Sequence, residues 1–147
     1  MLKPRIFAIA GAALILLAAG AASLLGKDGT GSHALSGAAT VVDERTLQIG
    51  GDMAHLWGLE PLADAGQARE TLATLVADKP VWCTPITPSE HAAMRCFVAN
   101  ENIAVLLLAR GEARTPGTLR GGEKDWVRSY KAAEAHAQHA HLGVWHE

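Results

Sequence analysis

Between Val41 and Leu59, apolar and polar residues alternate in short runs, which is the period of half-buried strands. Val41–Val42, Thr46–Ile49 and Met53–Leu59 read as strands, with Gly50-Gly51 as a tight turn between the last two. The period then lengthens. Ala68, Leu72, Leu75 and Val76 recur at helical spacing behind Asp64-Ala65-Gly66-Gln67, where Asp64 takes free amides and Gln67 reaches back. Lys79-Pro80 ends that helix. Val81–Thr84 and Arg95–Val98 return to strand character around a Pro-containing loop. A second helix opens at Asn100–Asn102, buries Ile103, Leu106 and Leu107, and stops at Gly111 in a left-handed conformation. Thr115 to Glu123, with one proline and three glycines, is a loop. The last helix starts near Lys124 and carries the stripe Trp126, Tyr130, Ala133, Ala137, Ala140 and Val144. This order predicts a five-stranded OB-type β-barrel with about three packed α-helices, an α+β fold.

Ahead of this domain the pattern is different. Lys3 and Arg5 precede an unbroken apolar run from Ile6 to Leu25, about enough to span a bilayer as a helix. Residues 1–25 therefore read as a transmembrane anchor, with the N-terminus cytoplasmic and the domain on the periplasmic face of the inner membrane. Ala19-Gly20-Ala21 supports the rival reading, a cleaved signal peptide and a periplasmic or secreted product. Residues 26–37, rich in Gly and Ser, form a flexible linker in which His33 is solvated, and residues 38–147 form the domain.

Charge narrows the function. Without Lys3 and Arg5 the chain holds 11 basic against 15 acidic residues, a net −4. A domain that neutralises phosphates needs a cationic face, so tight nucleic-acid binding is disfavoured. Cys83 and Cys96 flank one loop, and in an oxidising compartment such a pair forms a disulfide. His136, His139, His141 and His146 resemble a metal tract. Helical geometry puts only His136 and His139 side by side, about 60° apart, so a solvated helix surface is the simpler reading. Trp57, Trp82, Trp126 and Trp145 are spread over separate elements and read as core residues. Trp57 alone sits where it could stack on a base or sugar.

Several motifs carry a resemblance. Val42-Asp43-Glu44-Arg45-Thr46-Leu47, His55-Leu56-Trp57-Gly58-Leu59-Glu60-Pro61-Leu62-Ala63, Met94-Arg95-Cys96-Phe97-Val98, Gly111-Glu112-Ala113, Tyr130-Lys131-Ala132-Ala133-Glu134 and Gly143-Val144-Trp145 follow one frame. That frame resembles the staphylococcal-nuclease-like (thermonuclease) family from Ala38 to Trp145. The resemblance implies phosphodiester cleavage with three kinds of group. Carboxylates hold Ca2+, a glutamate activates water, and two arginines stabilise charge on the phosphate.

The scaffold residues match and the chemistry mostly does not. Asp43 keeps the first aspartate, but Arg45 replaces a metal-ligating aspartate. Glu60 stands where another aspartate belongs, and Ala63 where the catalytic glutamate does, with Asp64 the nearest substitute. His55 and His91 fall on the two arginine positions. Asp43 and Glu60 are thus the remaining candidate metal ligands, and His55, His91 and Ala63 are vestigial catalytic positions. Two histidines and two acids also suit Zn2+ or acid–base chemistry.

The expectation is an exported thermonuclease-like domain that has lost phosphodiesterase activity, needs no cofactor and binds an unknown protein or ligand partner. The alternatives are a metal-dependent phosphodiesterase with an altered site, using Ca2+ or another divalent ion, and an accessory protein of cell-envelope or exopolysaccharide production.

Overall fold

The computed structural model describes residues 33–87 and 93–146. Seven strands and three α-helices form a mixed α+β fold: β1 (Leu35–Gly37), β2 (Ala39–Asp43), β3 (Thr46–Ile49), β4 (Asp52–Leu56), α1 (Gly66–Val76), β5 (Val81–Pro85), β6 (Ala93–Val98), β7 (Glu101–Asn102), α2 (Ile103–Ala109) and α3 (Lys124–His139). A 3-10 turn, Gly143–Trp145, follows α3. The apolar run 6–25 and His91 lie outside the described residues. Among the described residues, no helix is long and apolar enough to cross a membrane.

The sheet runs β1-β5-β6-β4-β3-β2, with β7 paired to β6. All pairs are antiparallel except β4 with β6. Gly50 and Gly51 both adopt positive φ, 59° and 93°, so the two-residue turn from β3 to β4 matches the twist of its strands. The expected closed five-stranded barrel is corrected by this topology. Among the described residues, no ladder joins the edge strands β1 and β2, so the sheet is open. The two edges are instead consecutive in the chain, separated by Ala38, with Gly37 at φ 137°. One intervening residue is too few to reverse the chain, so β1 and β2 cannot pair with each other. The linker boundary moves as well. Leu35–Gly37, read as tether, is a strand paired with Val81–Cys83, and Leu35 is buried.

Leu47, Ile49, Ala54, Leu56, Val81, Cys83, Met94, Cys96 and Val98 point from the sheet into one core, which Leu72, Ile103, Leu107, Leu108 and Tyr130 fill from the helices. Cys83 and Cys96 are directly opposite in the β5–β6 ladder and form the expected disulfide. On α1, Ala68, Leu72 and Val76 are buried as their spacing requires, and Leu75 packs at the margin. Its expected cap is different. Ala65 is the N-cap and its side chain caps nothing, while Asp64 Oδ1 accepts from Gly66 N at 3.4 Å. Asn102 caps α2 through Oδ1, which accepts from Val105 N at 3.2 Å.

Two glycine motifs meet at the far end of the core. The Val144 amide donates to the Gly111 carbonyl at 2.8 Å. Gly111 and Gly143 have positive φ, 70° and 54°, and a Cβ on Gly111 would collide with the Leu142 carbonyl, one on Gly143 with the Gly111 carbonyl. Only glycine permits this backbone approach. A second close approach involves Trp57, whose ring lies against Gly122, 4.9 Å from Tyr130 and 6.4 Å from Trp126. Its Nε1 donates to the Arg120 carbonyl at 2.8 Å. Trp57 is a core residue. Trp82 is not: it is 52 % exposed on the outer side of β5, stacked on Phe97 at 5.6 Å, which corrects its reading as core.

Candidate functional site

The β2–β3 and β3–β4 hairpins bring Asp43, Arg45, Thr46 and His55 together. Asp43 Oδ1 accepts from the Arg45 amide at 3.0 Å, the local turn that an aspartate favours two residues before its donor. Thr46 is opposite both Asp43 and His55 in the ladders. Its Oγ1 lies 2.8 Å from His55 Nδ1. Thr46 is buried, whereas His55 is exposed. The threonine thus fixes one face of the imidazole and leaves the rest to solvent. Partial burial is the largest single influence on the Asp43 carboxyl and pushes its pKa up. The Arg45 amide, the Thr46 hydroxyl and the charges of Arg45 and His55 together outweigh it and hold the pKa below the ordinary value of 3.8.

Glu60 belongs to a different wall. Its amide donates to the Arg114 carbonyl at 2.9 Å. With Pro61, Leu62, Ala63, Asp64, Arg114 and Val144 it lines a cleft of about 290 Å3 that Asp43 and His55 do not line. The carboxylates expected to share a metal are therefore not members of one hydrogen-bonded group.

This donor set does not fit Ca2+, which takes six to eight oxygen ligands. Asp43 accepts from the Arg45 amide and has the charge of the Arg45 side chain beside it. Among the described residues, no three of His, Cys, Asp and Glu gather in a group that could hold a metal ion. The C-terminal histidines follow the same rule. His136 and His139 are exposed in the last turn of α3, and His146 Nδ1 bonds to the Gly143 carbonyl.

Two clusters escaped the sequence reading. Arg95 lies over the Trp126 ring at 4.0 Å and the Phe97 ring at 5.1 Å. Glu134, buried on α3, accepts from Thr115 N at 2.7 Å and from Thr115 Oγ1 at 2.6 Å, with Lys131 Nζ 3.4 Å away. The Tyr-x-x-Ala-Glu spacing was the available signal for Glu134, since it puts the acid one residue beyond the buried stripe. His33, read as solvated, is half-exposed with Nε2 3.8 Å from Asp52 Oδ2.

No family model matches the chain, and no curated protein matches it.

Proposed function

We propose that this chain is an exported thermonuclease-like domain that has lost phosphodiesterase chemistry and acts as a binding or accessory module. The observation that carries the reading is Arg45. Its amide holds Asp43, and its side-chain charge lies beside the one carboxylate retained unchanged from the family's metal site. A second cation there repels the metal that carboxylates would attract. Ala63 supplies no base, and Glu60 lines another cleft.

The sheet is open, and its strand order keeps only part of the OB-type pattern. β1 and β2, taken as two arms of one segment bent at Gly37-Ala38, pair with β5 on one side and β3 on the other, and β4 pairs parallel to β6. Export draws support from the Lys3, Arg5 and Ile6–Leu25 sequence pattern.

One observation favours a rival, an altered metal-dependent phosphodiesterase. His55 is oriented by Thr46 with Asp43 nearby, an arrangement able to move a proton. Incubation of the full chain with labelled single-stranded DNA in Ca2+, Mn2+, Zn2+ or EDTA tests both. The binding-module reading expects no cutting under any condition. Metal-dependent cutting that disappears in Glu60→Ala overturns it.

A further inference from the structure

A second and larger cleft lies between the start of α1 and the chain's C-terminal turn. Its volume is about 500 Å3, within the range of ligand sites. Leu62, Ala68 and Val144 supply apolar walls, and Asp64 and Glu112 supply carboxylates. The floor includes Gly111 and Gly143, so the backbone seam described above shapes the cavity. Leu62, Asp64 and Val144 also line the smaller cleft that holds Glu60 and Arg114. The two clefts adjoin at these three residues, and together they are treated as one groove.

The charge along that groove is one-sided. Three carboxylates, Glu60, Asp64 and Glu112, face one guanidinium and the His146 imidazole, whose Nδ1 is bonded to the Gly143 carbonyl. That guanidinium is partly committed: Arg114 Nη2 donates to the Val144 carbonyl at 3.0 Å and the group stacks over Trp145 at 4.4 Å, while its buried Nε has no hydrogen-bond partner. One oxygen of Glu112, Oε2, is shielded from solvent and has no hydrogen-bond partner. A carboxylate oxygen in that state is a cost the fold carries unless a donor meets it. Glu112 lines the cleft, so a cation seated there compensates the charge of its carboxylate.

We propose that this groove takes an extended, basic segment of a partner protein, with a lysine side chain seated between Asp64 and Glu112 and apolar neighbours against Leu62, Ala68 and Val144. The inference rests on the binding-module reading and gives its partner a chemistry. An aliphatic stem with an ammonium tip matches a cleft that is apolar along its walls and acidic at intervals. Two adjoining clefts favour a chain over a compact amine. Charge complementarity sets the sign: the groove attracts cations and rejects the acidic segments it would otherwise fit equally well.

The test uses the full chain and a fluorescent, end-blocked peptide of sequence Leu-Lys-Ala-Lys-Leu, followed by anisotropy. Saturable binding is expected. It should weaken about tenfold in the Asp64→Asn, Glu112→Gln double variant, the order of one lost charge-assisted contact. Asn at 64 keeps an oxygen for the Gly66 amide, and circular dichroism checks that the variant is folded. Binding should weaken several-fold between low and high salt. It should be unchanged by Asp125→Asn, an exposed acid on α3 outside the groove that controls for net charge. Three results would each overturn the proposal: no binding, equal binding of a peptide with norleucine for both lysines, or equal binding by the folded double variant. Peptide binding and DNA cleavage are separate readouts, so the groove can fail while the non-catalytic reading stands, and the reverse.

Discussion

Two carboxylates in this protein have nearly the same company and opposite uses. Glu134 accepts from a backbone amide and a threonine hydroxyl, with a lysine beside it. Asp43 accepts from a backbone amide beside a threonine hydroxyl, with an arginine beside it. Glu134 joins segments 19 residues apart, tying the loop before α3 to the helix itself, and is 7 % exposed. Asp43 is held by its own turn, at residues 45 and 46, and the group opens to solvent through His55. A polar cluster that joins distant chain segments and excludes water is a fastener. One confined to a hairpin and open at one side leaves its polar groups within reach of solvent.

The contrast predicts unequal responses. The largest belongs to the seam that closes the well-fastened half. Gly143→Ala forces a Cβ into the Gly111 carbonyl at a backbone φ of +54°. It should cost at least about 4 kcal/mol, seen as a fall in melting temperature of more than about 15 °C or loss of a cooperative transition. A shift of a few degrees would mean that the seam opens easily. Next is Glu134→Ala, which leaves the Thr115 amide and hydroxyl buried without an acceptor and Lys131 without its counterion. Urea unfolding should show a loss of about 3 kcal/mol. A loss like that of an exposed ion pair would erase the distinction between the two carboxylates. The smallest is Asp43→Asn. A carboxyl whose folded pKa lies below 3.8 contributes stability above that pH and loses it as pH falls through the folded value. Melting curves of the variant should therefore fall slightly below the parent at pH 7, and the gap should shrink as the pH is lowered past 3.8 toward 2. An equal or larger gap at pH 2 would show that the Asp43 charge is not what matters.

What the sequence revealed follows from how local each feature is. Strand alternation, the Gly50-Gly51 turn, the helix opening after Asn100–Asn102 and the Gly111 stop are encoded within a few residues, and all four stand in the structure. The cysteine pair needed one further fact, that β5 and β6 are adjacent, and their spacing around a single loop supplied it. β1 was hidden because Leu35-Ser36-Gly37 has the composition of a tether; its strand character comes from Val81–Cys83 across the ladder. Trp82 was misread because hydrophobicity does not say which side of a two-faced strand turns inward. Cys83, its neighbour, takes the inner face with the disulfide, so Trp82 must take the outer. At the site, the family resemblance singled out Asp43, Arg45 and His55, which the two hairpins bring together. The buried Thr46 between them, and the separation of Glu60 into another wall, depend on hairpin register and on the Glu60–Arg114 backbone contact.

The Gly111–Gly143 seam also sets a schedule. Ribosomes add about 5 to 20 residues each second, so Gly111 exists for roughly 2 to 6 s before Gly143 is made. Throughout that interval the end of α2 has no Val144 amide to receive, and the cleft above it has no second wall. The seam therefore closes only when the turn at residues 143–145 arrives, and until then that end of the core is open to whatever holds or moves unfinished chains.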